Sequence, residues 1–181
     1  MELGLKRGTV ALLPHDPAWE AQAARTIAAL KTILGDDAVD IQHVGSTAIR
    51  GIPAKPILDL AVGVRRLEDV RRHDDALTRA GFIFRGSTVP DEWLYVQGDF
   101  VADTRTHHIH VLKWGCPRWQ DYLNFRDYLN AAPAEAQRYA RLKEELAAVY
   151  SGDRGAYTAG KQELIQELLD KARRWRESQN A

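Results

Sequence analysis

His43-Val44-Gly45-Ser46-Thr47-Ala48, with Ala54-Lys55-Pro56-Ile57-Leu58-Asp59-Leu60-Ala61-Val62 close behind, decides how this chain reads. Val39 to Val44 reads as a strand that runs into a Gly-Ser turn, and the turn opens a helix or loop. Pro56 to Val64 is a second apolar strand with a single carboxylate, Asp59, inside it. Backbone N–H groups at such a turn favour phosphate, and an Asp on the adjacent strand can hold the metal that accompanies it.

Strand side chains alternate, so Leu58, Leu60, Val62 and Val64 share one face while Ile57, Asp59, Ala61 and Gly63 share the other. Asp59 therefore stands where neighbouring side chains shrink and leave room for a ligand. A carboxylate on a buried strand needs a partner. Lys55, Arg50 or a backbone amide would serve, and a metal ion is the functional alternative. Thr106-His107-His108-Ile109-His110-Val111-Leu112 follows the same alternation: His107, Ile109 and Val111 face one way, His108 and His110 the other. Two imidazoles at that spacing can share a metal or bracket a phosphate as donors and general acids, although a pair of surface histidines has the same spacing. If this strand neighbours the Asp59 strand, Asp59, His108 and His110 converge on one centre. That donor set suits manganese, zinc, iron or nickel better than magnesium. His43, beside the turn, is a further candidate ligand or a support for one.

Gly45, Ser46 and Thr47 supply the backbone freedom and hydroxyls that phosphate cradling needs. Lys55, just before the Asp59 strand, is placed to neutralise a phosphate. In the second half, Arg126 lies on a helix rich in aromatics (Trp119, Tyr122, Phe125), and Lys161 sits in the opening turn of the last helix. Basic residues there oppose the helix dipole, which gives Arg126 and Lys161 a candidate role as substrate contacts.

Outward from these motifs, Thr9 to Leu13 reads as a short strand closed by Pro14-His15-Asp16-Pro17, and a helix follows to about Leu34. A helix from about Leu67 to Ala80, a strand Phe82 to Arg85, and strands Glu92 to Gln97 and Thr106 to Lys113 complete an antiparallel set. From Pro117 the pattern is helical: Pro117 to Asn130, Pro133 to Tyr150 and Tyr157 to Glu177. The expected fold is α/β (α+β), a mixed sheet flanked by helices, with residues 1–115 as the core and 116–181 as a helical segment packed on it. Its 181 residues fit one compact unit, and 25 basic against 25 acidic side chains give no general attraction to polyanions, so nucleic acid is not expected as a partner. The single Cys116 excludes an internal disulfide and a Cys-based zinc site. No apolar run approaches the roughly 20 residues of a membrane span, and Met1 to Gly8 lacks a signal-peptide core, which makes the cytoplasm the expected compartment.

Together these pieces resemble the GrpB-like family of the nucleotidyltransferase superfamily over nearly the whole chain. The resemblance rests on Leu12-Leu13-Pro14-His15-Asp16-Pro17-Ala18-Trp19, the two opening motifs, His108-Ile109-His110, Phe125-Arg126-Asp127-Tyr128-Leu129, Leu142-Lys143 and Tyr157-Thr158-Ala159-Gly160-Lys161. It implies a nucleotidyltransferase-like mixed sheet, a divalent metal ion (magnesium, manganese or zinc), and a nucleotide with a small-molecule acceptor as partners. Arg50 departs from the family, which usually has Pro there. Active nucleotidyltransferases resemble one another in carrying two carboxylates one residue apart and a third on a neighbouring strand. Here Ala61 follows Asp59, and His108 or His110 stands where the third would be sought. The implied reaction is metal-dependent transfer of a nucleotidyl group, with Asp59 and His110 as catalytic residues and Asp59, His108, His110 and His43 around the metal. A non-catalytic nucleotide or coenzyme binder and a metal-dependent phosphohydrolase are the alternatives.

Overall fold

The computed structural model describes residues 3–179. Strand β1 (Leu5–Lys6) comes first, and helix α1 (Ala18–Leu34) follows once Asp16 Oδ1 accepts the Ala18 N–H at 2.8 Å and Pro17 pre-sets the turn. Strands β2 (Ala38–Val44) and β3 (Leu58–Val64) flank the Gly-Ser turn, which becomes a single 3-10 turn, Ser46–Ala48. Next come short helices α2 (Leu67–Val70) and α3 (Asp74–Arg79). After them run strands β4 (Ile83–Val89), β5 (Glu92–Gln97), β6 (Thr104–Arg105) and β7 (His107–Lys113). Four helices close the chain: α4 (Pro117–Ala131), α5 (Pro133–Val149), α6 (Arg154–Gly160) and α7 (Gln162–Gln179).

The main sheet has the order β2-β3-β7-β5-β4 and is mixed, as expected. β3 and β7 are parallel neighbours, with Asp59 opposite His108 and Ala61 opposite His110, and the other pairs are antiparallel. Period-two alternation then sorts the side chains. Leu58, Leu60, Val62, Ile109 and Val111 pack under Trp19, Ala23, Leu30 and Leu34 of α1. Burial of each such side chain is worth about 1.5–3 kcal/mol, so this face anchors the sheet. The opposite face is shared. Val44, Ala61 and Leu112 lie under Trp119 of α4, and the rest of it, around Asp59, stays open toward α5, α6 and Lys161.

Three local expectations are corrected. Thr9 to Leu13 forms no strand: Leu13 makes one two-way bridge to Ala54, at 2.9 Å each way, and among the described residues the neighbouring strand pairing is β1 with β6. With one bridge there is no ladder to hold an extended segment flat. The Leu67 to Ala80 helix is interrupted by a 3-10 turn, Arg71–His73. The Tyr157 to Glu177 helix is broken at Lys161, where the Gly160 backbone abuts Leu146; a Cβ on Gly160 would come within 2.6 Å of Leu146 Cδ2. Among the described residues no helix is long and apolar enough to cross a membrane.

Candidate metal and anion site

Asp59 leaves β3 on the open face, and its register partners bring His108 and His110 alongside it. Asp59 Oδ1 lies 3.2 Å from His108 Nδ1 and 3.3 Å from His110 Nε2. One ligand atom from each of the three residues falls within 4.8 Å of the others. Behind them stands Glu92, the first residue of β5, with its side chain only 5% exposed. Its Oε1 accepts the His110 Nδ1–H at 2.7 Å, and it also takes the Tyr122 hydroxyl at 3.3 Å and lies 3.5 Å from Arg118. Asp59, His110 and Glu92 thus form one hydrogen-bonded row across three strands.

The electrostatics follow from that row. Burial pushes the Asp59 carboxyl up, but the hydrogen bonds and charges of His108 and His110 outweigh it and hold it well below the usual range. Burial pushes His110 down, yet the bonds to Asp59 and Glu92 win and hold it up at about 9. At neutral pH His110 is therefore an imidazolium donating to both carboxylates, a proton filling the place of a cation. A carboxylate and two imidazoles fit a borderline divalent ion, and a carboxylate behind a ligating His is the usual outer support.

The turn is built around Asp59. Gly45 has φ +70° and ψ −170°, and a Cβ there would lie 2.5 Å from Asp59 Oδ2. Ser46 Oγ is 3.4 Å from the Tyr139 hydroxyl. Beyond it opens a cavity of about 250 Å³ with Asp59 and His108 on one wall and Lys55, Lys143, Arg154 and Lys161 on the other. The ammonium groups rest on rings instead of carboxylates: Lys55 and Lys161 Nζ lie 5.3 and 4.3 Å from the Tyr157 ring centre, and Lys143 Nζ 4.7 Å from that of Tyr139. Lys143 is 1% exposed and donates to Pro53 O at 2.5 Å. Burial, aided by neighbouring lysines, brings Lys143 down to about 7 and Lys161 to about 8.

The expected residues divide accordingly. Gly45, Ser46, Lys55, Lys161, Asp59 and His108 line this cavity, and His110 adjoins it through Asp59. His43 stands apart: it pairs with Leu60, on the α1 face, and its Nε2 bonds Thr47 Oγ1 at 2.9 Å. Thr47 is buried in that bond, and burial pushes His43 down to about 4. Arg126 binds Gln42 Oε1 and His43 O at 2.9 and 3.0 Å, tying α4 to β2. Arg50 pairs with Glu20, so the partners of Asp59 are imidazoles. Glu92 and Arg154 escape a site search by motif, and Lys143 stands in the Leu142-Lys143 motif with no site role given to it by the sequence. Two leave a signal: Glu92 shares its strand face with Leu94 and Val96, and Lys143 continues the buried Ala136, Tyr139, Ala140 spacing of α5.

The sequence profile of the family described as "GrpB protein" matches residues 9–171. The "Glutamate-rich protein GrpB" of Alkalihalophilus pseudofirmus is 37% identical over 171 residues, covering 93% of this chain and 98% of that one. The crystal structure of conserved protein GrpB from Enterococcus faecalis is similar at TM-score 0.83 and 29% identity, over 90% of this chain and 96% of that one. The Cid1 poly(U) polymerase, in a crystal structure with Mg 3'-dATP bound, superposes at TM-score 0.54 and 14% identity over 82% of this chain. This chain spans 49% of that one, and the likeness establishes a nucleotidyltransferase-type fold.

Proposed function

The chain belongs to the GrpB family, and from that premise we propose that it is a metal-dependent enzyme transferring a nucleotidyl group from a nucleoside triphosphate to a small acceptor. The observation that carries the reading is the juxtaposition of Asp59, His108 and His110 with a cavity lined by Lys55, Lys143, Arg154 and Lys161. A divalent ion held by the three ligands would draw charge from the reacting phosphate. The chain's own groups supply the rest. Lys55, Lys143, Arg154 and Lys161 neutralise the phosphate chain, and Ser46 at the rim offers it a hydroxyl donor. Gly45 keeps the approach to Asp59 clear of side chain. Once a bound ion displaces its Nε2 proton, His110 would have one lone pair there, to ligate the ion or to take the proton of the attacking hydroxyl, and Glu92 behind Nδ1 raises its basicity in both roles. The cytoplasm remains the compartment proposed.

Asp59→Asn tests this. Pyrophosphate release from nucleoside triphosphates with magnesium, manganese or zinc should vanish while circular dichroism shows the protein still folded; unchanged turnover removes Asp59 from the chemistry. One observation favours a second reading, a non-catalytic nucleotide binder: the Asp59, His108 and His110 trio contains one carboxylate, whereas two-metal phosphoryl transfer uses several. Calorimetry showing tight nucleotide binding, with no pyrophosphate released under any of the three ions, would select it.

A further inference from the structure

A second cavity adjoins the first at the Gly-Ser turn and is the larger of the two. It measures about 550 Å³ and lies between α4 and α7, where Tyr122 and Phe125 face Gln162, Ile165, Gln166 and Leu169. Gly45 and Phe125 line both cavities, so the two meet at the Gly-Ser turn. Chemically they are opposites. The smaller gathers four cationic side chains, with Asp59 as the acid among its lining residues. In the larger the charges are met locally: Arg173 is held by Asp121 at 2.7 and 2.8 Å, and Arg118 lies 3.5 Å from Glu92. What it offers a ligand is aromatic and aliphatic surface with two carboxamides, Gln162 and Gln166, one helical turn apart.

We infer that this groove takes the nucleoside half of the nucleotide whose phosphates enter the basic cavity. The inference rests on the nucleotide reading of the site and extends it to substrate recognition. Volume is the deciding quantity. Sites for ligands of nucleotide size run to about 300–1,000 Å³, so a cavity of about 250 Å³ suits the phosphate chain alone. The adjoining groove supplies the missing room, and its lining sets two arginines against one aspartate where the smaller cavity sets four cations against one. Aromatic faces stack on bases of any sequence, and a carboxamide presents a donor and an acceptor side by side to a base edge. Gly45 is the sill between the two compartments. It lacks a side chain because Asp59 occupies that space, and the same absence keeps the passage open.

Calorimetry with manganese present tests this with two kinds of probe: inorganic tripolyphosphate, and the α,β-methylene analogues of ATP, GTP, CTP and UTP. The unaltered protein should bind the best analogue at least about tenfold more tightly than tripolyphosphate. Gln166→Trp, at an exposed position where folding tolerates change, should erase that margin and leave tripolyphosphate binding as it was. The double variant Gln162→Ala with Gln166→Ala should lose part of the margin and shift which base is preferred. Analogue binding unchanged in both variants overturns the inference, as does an unaltered protein that binds analogues no better than tripolyphosphate. If neither probe binds the unaltered protein, the nucleotide reading itself fails and the groove assignment goes with it.

Discussion

Gly45→Ala puts the coupling between the turn and Asp59 to a quantitative test. The glycine has φ +70° and ψ −170°, a region that residues with a Cβ enter at a cost of about 1–3 kcal/mol. The added methyl would also sit 2.5 Å from Asp59 Oδ2 and 2.9 Å from Asp59 Cβ. The carboxylate can swing aside, but the Asp59 Cβ is fixed to β3, a strand paired on both sides, so relief requires β3 and the turn to separate. Overpacking of that kind costs about 1–3 kcal/mol. Together the effects amount to about 2–6 kcal/mol, which for a chain of this length lowers the melting temperature by roughly 4–24 °C. A variant at the mild end escapes by turning the carboxylate away from His108 and His110, and then it loses divalent-ion affinity instead. Thermal unfolding by circular dichroism and manganese or zinc titration by calorimetry read the two arms separately. A Gly45→Ala protein within about 0.5 kcal/mol of the parent and with undiminished ion affinity would refute the reasoning.

Three other outcomes are expected. Glu92→Gln places an amide against His110 Nδ1, and divalent-ion affinity should drop about 10–100-fold, with the His110 ring nitrogens moving in the ¹⁵N spectrum; retained affinity would show that Glu92 does not orient the ring. Lys143 and Lys161 lose their protons near 7 and 8 in the folded protein, against 10.5 as their ordinary value. Between these limits the unfolded chain binds more protons, so the stability of the ligand-free protein should rise with pH above about 7. Tripolyphosphate affinity should fall over the same window, and Lys143→Met should flatten both trends. Arg126→Met should cost about 1.5–3 kcal/mol through lost charged hydrogen bonds while leaving tripolyphosphate affinity unchanged, since Arg126 ties α4 to β2 outside the cavity lining; a large affinity loss in a stable protein would return it to the substrate.

The alternation of β3 and β7 was legible because a strand has a period of two: it put Asp59 on one face and paired His108 with His110 on one face before any neighbour was known. What periodicity cannot carry is register. Glu92 reaches His110 only because β5 runs antiparallel to β7 with Leu94 opposite His110, and nothing local to Glu92 encodes that pairing. His43 shows the same limit: its place beside the turn says nothing of its face, and Leu60 as its partner puts it under α1. Arg126 was read from charge at a helical position, whereas its guanidinium meets a side-chain amide and a backbone carbonyl of β2. Helix composition does not reveal which strand a helix will cross. The break before α7 falls where Gly160 packs against Leu146 of α5, a long-range contact that the uninterrupted helical pattern hides.

The lysines supported by Tyr139 and Tyr157 have a practical consequence at the bench. Mutually repelling ammonium groups gathered in one chamber favour any multivalent anion that fits it, and such an anion would stabilise the fold by about 2.7 kcal/mol once its concentration reaches a hundred times its dissociation constant. Sulfate, citrate or phosphate in a storage buffer would therefore make a preparation look sturdier on heating while blocking the chamber that an assay needs open. Robustness and silence would share one origin, and dialysis into chloride would reverse both.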